Sequence, residues 1–436
     1  MEFWINLTNL KLITAMPIKS IVLFYIFILF SGGVIGQSAE NFDESKVGPY
    51  TLPELLKTDK GKAIHTIKQW EKVQRPAILK KFASQVYGRM PGRPKHFHTK
   101  QIAIDENALQ GKAIRKEVTI YFTKGDHQPG MHVLLYLPKH VKGRVPVFTG
   151  LNFQGNHSTQ TDPDILINSS WKTINSSQTN PARGGQERRW PLEEIIANGY
   201  GLATAYYEEL EPDHPAGWKT GIRTTLQKEL NIKPQEWGAI GAWAWGLSRM
   251  MDYLETDPAV DPDQIVLTGH SRLGKAALWA GANDQRFAIV ISNDSGEGGA
   301  ALSRRNFGET VLRINTAFPH WFINQYKKYN HSVDQLPVDQ HMLLAIIAPR
   351  PLYVASAVED TWADPKGEFL SAKQAEPVYA LYNKKGLLVD QQPPVNRPVG
   401  ETLGYHVRSG KHDILLYDWQ QYIQFANYHF KYPGRN

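Results

Sequence analysis

A serine framed by glycines is the strongest candidate for a nucleophile in this sequence. Ser271 lies in the run 269–275, which reads GHSRLGK. Residues 264–268 before it are typical of a buried strand, and residues 276–282 after it are typical of a helix. A strand, a tight turn and a helix in this order place a serine hydroxyl on an elbow that faces substrate. The spacing is Gly-x-Ser-x-x-Gly and not the commoner Gly-x-Ser-x-Gly, so a glycine-rich turn with an incidental serine is the competing interpretation.

A histidine and two carboxylates follow this serine in the order that a serine hydrolase on an open α/β sheet requires. Asp294 and Asp360 each come after a predicted buried strand, and His412 lies in a polar loop. Each residue alone has an ordinary explanation, because the chain has 15 histidines and aspartate is favoured in turns and helix N-caps. Together, at three separate strand ends, they predict a catalytic triad. The two strands are predicted over 287–293 and 350–357, the polar loop over 407–413, and the last helix over 414–429.

Several further motifs make the pattern more specific. They are NDSGEGG at 293–299, SRRNFGET at 303–310, PRPLY at 349–353, DTWADP at 360–365 and GKH at 410–412. In chain order with the serine motif, these segments resemble the glucuronoyl esterases, carbohydrate esterase family 15, and in particular its bacterial branch. The resemblance extends from about Leu52 to the C-terminus.

The resemblance implies an α/β-hydrolase fold, in which a mostly parallel twisted sheet lies between two layers of helices. It also implies hydrolysis of esters of glucuronic acid, often 4-O-methylated, as in the ester linkages between lignin alcohols and glucuronoxylan. Carried over by position, Ser271 is the nucleophile of an acyl-enzyme mechanism and His412 is the general base. Arg272 contributes its backbone N–H and its guanidinium to the oxyanion hole.

Three more residues are implied by the resemblance to bind substrate. Lys275 and Glu309 would hold hydroxyls of the uronate ring, and Trp362 would lie against the sugar. Lys275 is one helical turn after Ser271 on the same face, so a covered lysine there needs a partner or an opening to water. The ordinary alternatives are a solvated or ion-paired helix cation for Arg272 and Lys275, and core or lid packing for Trp362, since the chain has 12 tryptophans.

The triad acid is where this chain departs from the family pattern. Many members have glutamate where this chain has Asp294, and the shorter side chain has less reach toward the imidazole. Bacterial members also offer an acid after the following strand, which Asp360 matches. We therefore expect Asp360 to be the main orienting carboxylate, with Asp294 assisting.

Composition limits the kinds of site and partner. The 436 residues are 42% hydrophobic, which is enough to bury the core of one large domain or two moderate ones. The formal net charge is +7, but 49 basic and 42 acidic residues are interleaved, so nucleic acid is not an expected partner. The absence of cysteine excludes disulfides, thiolate metal sites and a cysteine nucleophile. A metal site of histidines and carboxylates stays open in principle; without a His-Glu-x-x-His pattern, we predict no metal and no cofactor.

The N-terminus has the features of a signal peptide. Residues 21–30 are an unbroken apolar run preceded by a lysine, and small residues follow over 31–36. The apolar run is too short to span a bilayer, although a retained membrane anchor is the alternative. We predict a signal peptide over 1–36, with Met16 as an alternative start. The mature protein is expected to be a monomer without a membrane segment, in the periplasm or outside the cell.

Residues 37–436 are predicted to form one catalytic domain, because no repeat or low-complexity linker interrupts them. Its N-terminal extension is predicted to be helical and then β-structured. The polar segment 159–189 is predicted to be a surface insertion at the mouth of the cleft, and the loop 152–157 to border the oxyanion hole. Other predicted elements are antiparallel strands over 116–122 and 132–137, core strands over 145–150 and 200–206, and a helix over 237–255.

Three functions remain open from the sequence. The first is a serine esterase acting on glucuronoyl esters. The second is another carbohydrate esterase of the same architecture, such as one that removes acetyl groups from xylan; convergence of Arg272, Lys275 and Glu309 on a uronate-sized pocket distinguishes the first from it. The third is a non-catalytic polysaccharide-binding protein on a degenerate hydrolase scaffold, against which the intact Ser271 and His412 argue.

Overall fold

The computed structural model describes residues 40–126, 130–168 and 182–431, so the predicted signal peptide over 1–36 lies outside the described residues. Within them, ten strands form one sheet and two short strands, β1 and β9, form another. The strands are β1 (Glu40–Asn41), β2 (His98–Asn107), β3 (Ala113–Tyr121), β4 (Gly130–Pro138), β5 (Val145–Asn152), β6 (Gly201–Tyr206), β7 (Val260–His270), β8 (Ile289–Asn293), β9 (Gly308–Glu309), β10 (Leu352–Ala357), β11 (Val399–Gly400) and β12 (Leu403–Arg408).

The centre of the large sheet is parallel. Its neighbouring strands are β12, β10, β8, β7, β5 and β6 in that order. From β6 the sheet continues antiparallel through β4 and β3 to β2, and β11 pairs antiparallel with β12 at the opposite edge. Because the carboxyl ends of parallel strands share one edge of the sheet, the loops after β7, β8, β10 and β12 meet there.

Helices cover the sheet and follow its core strands. Those of six or more residues are α1 (Arg75–Phe82), α2 (Leu192–Ala197), α3 (Ala239–Leu254), α4 (Arg272–Asn283), α5 (Val311–Ala317), α6 (Gln340–Ala345), α7 (Pro365–Leu381) and α8 (Leu416–Phe430). Helix α1 lies within a longer helical stretch that contains the π-helical turns Trp70–Gln74 and Ala83–Tyr87. Shorter helices are Ile67–Gln69, Ala108–Gly111, Ile222–Thr225 and Gln227–Leu230. Among the described residues, no helix combines the length and apolar character needed to cross a bilayer.

Side chains of the central strands alternate between two hydrophobic cores. In β7, Ile265 and Leu267 join the core that contains α3 and α4, whereas Val266 joins the core that contains α2 and α8. Successive residues of a strand point to opposite faces, so the sheet separates these two cores. The result is the three-layer arrangement of the α/β-hydrolase fold, as predicted.

Strands β2 and β12 and one buried segment differ from the sequence predictions, and the short strands β1, β9 and β11 were not predicted either. Strand β2 was not predicted because most of its residues are polar and exposed, without an apolar alternation. Strand β12 includes Val407 and Arg408, which were predicted to lie in a loop, and all six of its residues are buried. The predicted surface insertion over 159–189 is described at its ends, and Thr159 and Gln160 are buried, so it starts in the interior.

Candidate active site

Ser271 lies at the turn between β7 and α4, in a backbone conformation that residues other than glycine rarely adopt. Its φ is 57° and its ψ is −130°. Its N–H donates to the Asn293 carbonyl at 2.9 Å, because β7 and β8 bring His270 and Asn293 into register. The first N–H groups of α4 have no partners within the helix and carry its positive dipole end. The strand, turn and helix predicted around the serine are therefore present.

The spacing of the two glycines follows from close contacts inside this turn. A Cβ atom on Gly269 would lie 2.1 Å from the carbonyl oxygen of Leu273. A Cβ atom on Gly274 would lie 3.0 Å from the Cβ of Ser295, on the neighbouring loop. Glycine is therefore required two residues before the serine, and three residues after it a side chain would fit only if its neighbours moved by a few tenths of an ångström.

His412, in the loop after β12, is hydrogen-bonded to Asp360, which follows β10. The distance between His412 Nδ1 and Asp360 Oδ2 is 2.6 Å. The Asp360 side chain is 3% exposed and the His412 side chain 40% exposed, and both line the cavity that contains Ser271. Within the described residues, the Ser271 hydroxyl makes no hydrogen bond to His412. Catalytic hydrogen bonds often tighten only when substrate is bound.

Asp294 lies next to this pair. Ligand atoms of Asp294, Asp360 and His412 all lie within 4.8 Å of one another. Asp294 is buried, and its Oδ2 is 3.5 Å from Nη2 of Arg408. Burial, together with the nearby carboxylates of Asp360 and Glu368, raises the pKa of Asp294 well above its ordinary value. The two predicted acids therefore occupy different positions: Asp360 is bonded to the His412 imidazole, and Asp294 is bonded to Arg408.

These three side chains also have the composition of a metal site. Two ligands of one zinc ion, each at ~2.1 Å with tetrahedral angles, lie about 3.4 Å apart. The 2.6 Å between His412 Nδ1 and Asp360 Oδ2 fits a shared proton better than a shared ion.

Arg408 is a residue that sequence reasoning missed, because it was predicted to lie in a flexible loop. It is buried at the end of β12, where its Nε donates to Asp418 Oδ2 in α8 at 2.8 Å. Its other nitrogens donate to backbone carbonyls on both sides of His412, so it holds the loop that presents the imidazole. These carbonyls belong to Ser409 at 3.0 Å, Lys411 at 3.1 Å and Asp413 at 2.5 Å.

Arg272 lines the cavity, and its guanidinium lies among three aromatic rings. Its central carbon is 5.0 Å from the ring centroid of Trp321, 5.6 Å from that of Phe153 and 5.9 Å from that of Phe318. Phe153 comes from the loop that was predicted to border the oxyanion hole. Nη1 of Arg272 donates to the carboxylate of Asp213. Burial lowers the pKa of Arg272 and Asp213 raises it, with a net rise, so the side chain is a fixed cation.

Lys275 is buried, 4% exposed, and has the partners that its position requires. Its Nζ donates to the carbonyls of Ser295 and Glu297 at 2.6 Å each, and it lies 3.5 Å from Glu309 Oε2. Burial raises the pKa of Glu309 and Lys275 lowers it, with a net rise. A buried ion pair with one long contact therefore lies in the cavity wall.

The N-terminal strand supports the side of the cavity that contains Glu309 and Trp362. Strand β1 pairs antiparallel with β9, so Glu40 lies opposite Glu309. The ring of Phe42 lies 6.3 Å from the ring of Trp362. The guanidinium of Arg313, on α5, lies 5.6 Å from the same Trp362 ring. No local pattern in the sequence predicts this contact, because it depends on which strand β1 pairs with.

One cavity of about 330 Å³ unites the predicted site residues. This is within the range of small-molecule sites, roughly 300 to 1,000 Å³. Its lining also contains Phe318 and Trp321, which the sequence interpretation did not single out. The lining residues are Ser271, Arg272, Lys275, Asp294, Ser295, Gly296, Glu309, Phe318, Trp321, Asp360, Trp362, Ala363 and His412.

Comparison with known proteins gives consistent matches. Residues 229–383 match the protein family described as Glucuronyl esterase, fungi. The carbohydrate esterase MZ0003, from an unknown prokaryotic organism, is 47% identical over 399 residues, which cover 89% of this chain and 92% of that protein. The solved glucuronoyl esterase from Solibacter usitatus is 48% identical, with a TM-score of 0.84, over 89% of this chain and 100% of that one. A promiscuous CE15 esterase from a marine bacterial metagenome is 46% identical, with a TM-score of 0.83, over the same shares.

Proposed function

Because this chain belongs to the glucuronoyl esterases of carbohydrate esterase family 15, and is thus a carboxylic ester hydrolase, we propose that it hydrolyses esters of glucuronic and 4-O-methylglucuronic acid with a triad of Ser271, His412 and Asp360. One observation carries the triad: the 2.6 Å hydrogen bond between His412 and Asp360, in the cavity that contains Ser271 on its turn. Family membership sets aside the alternative of a non-catalytic polysaccharide-binding protein.

In the proposed reaction, the Ser271 hydroxyl attacks the ester carbonyl while His412 Nε2 takes its proton. Asp360 accepts from Nδ1–H, which keeps Nε2 free to act as the base. This step requires the hydroxyl to lie within hydrogen-bond distance of Nε2 in the substrate complex. The protonated imidazole then gives its proton to the leaving alcohol, and an acyl-enzyme remains. Water, activated by the same imidazole, releases glucuronate and restores Ser271.

The negative charge that develops on the ester oxygen is proposed to be stabilised by Arg272. Its backbone N–H lies at the start of α4, next to the nucleophile, and its charged guanidinium lines the same cavity. Preorganised donors of this kind are commonly worth roughly 3 to 4 kcal/mol each.

The uronate ring is proposed to bind between Lys275, Glu309 and Trp362. Two short bonds from Lys275 Nζ go to backbone carbonyls, and only its 3.5 Å contact with Glu309 is long. A sugar hydroxyl that donates to Glu309 and accepts from Lys275 would bridge these two side chains. Trp362 is partly exposed and offers an apolar ring face to the sugar.

We also propose that the natural substrate is a lignin alcohol ester of a glucuronoxylan side chain, reached by the exported protein. The formal net charge of +7 favours encounter with an anionic polysaccharide. Attraction of this kind acts on the rate of association and leaves specificity to the cavity.

Initial rates on a glucuronate methyl ester, a galacturonate methyl ester and acetylated xylan test the substrate class directly. We expect the glucuronate ester to be hydrolysed with the highest kcat/KM. A higher kcat/KM on acetylated xylan would instead support the acetyl xylan esterase alternative. The galacturonate ester has the same charge and a different hydroxyl configuration, so it tests recognition by Lys275 and Glu309.

A further inference from the structure

Asp213, in the loop after β6, accepts hydrogen bonds from four side chains. Its Oδ1 is 2.8 Å from His320 Nε2 and 2.7 Å from Trp321 Nε1. Its Oδ2 accepts from the Tyr207 hydroxyl at 3.0 Å and from Nη1 of Arg272. An ionised carboxylate has about four acceptor positions, so the protein fills them all.

The Asp213 side chain is 5% exposed, whereas that of Arg272 is 30% exposed. Burial raises the pKa of Asp213. The hydrogen bond from His320 and the charge of Arg272 lower it by more than burial raises it, so the net pKa is about 2. The carboxylate is therefore ionised at neutral pH inside the wall, and the guanidinium that it holds reaches the cavity.

We propose that Asp213 is a positioning residue for the esterase reaction, which fixes the Arg272 guanidinium beside Ser271 with its remaining N–H donors directed to the ester oxygen. This inference rests on the role proposed for Arg272. Arginine has a long side chain with several rotatable bonds, and stabilisation of a transition state requires donors that are already in place. The carboxylate, together with the rings of Trp321, Phe153 and Phe318, supplies that constraint.

The same carboxylate fixes a second part of the wall. The Trp321 ring, held through Nε1, stacks on Phe318 with centroids 3.8 Å apart and an interplanar angle of 4°. It also lies 5.8 Å from Nζ of Lys275. Arg272 and the aromatic wall next to Lys275 therefore share one anchor, Asp213.

A double-mutant cycle tests this role, with the single variants Asp213→Asn and Arg272→Gln, the double variant and the wild type. We expect Arg272→Gln to lower kcat on a glucuronate methyl ester about 100-fold. Asp213→Asn should lower kcat at least tenfold with a smaller change in KM, because the guanidinium acts mainly in the transition state. In the Arg272→Gln background, Asp213→Asn should change kcat by less than about twofold, the limit of independent behaviour.

The outcomes separate this inference from the proposed function. A loss of kcat on Asp213→Asn that persists in full in the Arg272→Gln background overturns the positioning role and leaves Arg272 in the proposed mechanism. An unchanged kcat in Arg272→Gln overturns the role of Arg272, and the role of Asp213 with it.

Two further variants control for folding. Asp257→Asn changes another buried aspartate that is bonded to a tyrosine, Tyr253, and a cation, Lys116, away from the cavity, so its kcat should stay at the wild-type value. If Asp213→Asn does not fold, Tyr207→Phe removes a single O–H donor from the same carboxylate. It should lower kcat severalfold in the wild type and have no effect in the Arg272→Gln background; an equal loss in both would contradict the proposal.

Discussion

Asp360 and His412 are 52 residues apart in the chain, yet Oδ2 of the aspartate lies 2.6 Å from Nδ1 of the histidine. A carboxylate at Nδ1 selects the tautomer in which Nε2 has no proton and can accept one. Asp294 is close to the same imidazole but bonds to Arg408. The two acids therefore have different hydrogen-bond partners: Asp360 bonds to the imidazole, and Asp294 bonds to Arg408 and to the Asp413 N–H.

We predict that Asp360→Asn lowers kcat on a glucuronate methyl ester by 100-fold or more, since loss of the orienting carboxylate in such triads costs up to about 10⁴-fold. Asp294→Asn should cost less than about tenfold, because the carboxylate of Asp294 bonds to Arg408 and to the Asp413 N–H rather than to the imidazole itself. Steady-state kinetics on both variants check the ranking. The opposite ranking would make Asp294 the triad acid.

We predict that Glu309→Gln raises KM for the glucuronate ester about tenfold, the expected effect of losing one hydrogen bond to a charged group. The amide keeps the size of the side chain but removes the charge next to Lys275. Hydrolysis of 4-nitrophenyl acetate, which has no sugar ring, is the control and should be unchanged. Equal losses on both esters would show that Glu309 supports the fold and does not recognise the sugar.

We predict that Phe42→Ala raises KM for the glucuronate ester by about two- to tenfold, the range expected for loss of an aromatic pair. Phe42 is 50% exposed and its visible role is to pack against Trp362. Val73→Ala is a matched control, because Val73 is also half exposed, at 51%, and lies outside the cavity lining. An unchanged KM in Phe42→Ala would mean that Trp362 needs no support from the N-terminal strand.

Glu368 couples the stability of the site to pH. It is fully buried, and its carboxyl accepts from the N–H groups of Ser295 and Gly296 at 2.8 and 3.0 Å and from the Ser356 hydroxyl at 2.6 Å. Burial raises its pKa, the hydrogen bonds lower it and the nearby charge of Asp360 raises it, with a net rise to about 8. A carboxyl whose pKa is higher in the folded state than in the unfolded state stabilises the fold at low pH. This contribution is lost as pH rises from about 4.5, the unfolded value, through 8.

We predict that Glu368→Gln makes this part of the pH profile flatter. The amide is neutral at every pH and can still accept from Ser295 and Gly296 through its oxygen. A single group changes the free energy of unfolding by at most about 1.4 kcal/mol per pH unit. Urea unfolding of both proteins between pH 5 and 9 measures the difference; identical slopes would contradict the assignment to Glu368.

The sequence predicted the parts of this molecule that depend on local patterns. The turn at Ser271 was predictable because the glycines that it requires are adjacent in the chain and lie between an apolar strand and a helix. The strand ends before Asp294 and Asp360 were predictable because each follows a local run of apolar residues. The two aspartates lie near His412 because β8, β10 and β12 are parallel neighbours in the sheet.

What the sequence did not predict depends on contacts between distant segments. Arg408 is a buried cation in a strand segment that was predicted to be a loop. Its burial could not be predicted, because its partners Asp418 and Asp294 are known only from the fold. From the sequence alone, Asp213 is indistinguishable from an ordinary turn residue, because its partners His320 and Trp321 are 107 and 108 positions away in the chain and are known only from the fold. Buried ion pairs of this kind leave no periodicity in the sequence.

The most direct test of the triad is single-turnover hydrolysis of a benzyl glucuronate ester by wild-type protein and Ser271→Ala, with circular dichroism and thermal unfolding of both. We predict that the variant folds as the wild type does and loses at least about 10³-fold in rate, because the residual activity of triad variants comes from binding and the oxyanion hole alone. A folded Ser271→Ala protein that releases benzyl alcohol at the wild-type rate would contradict the account.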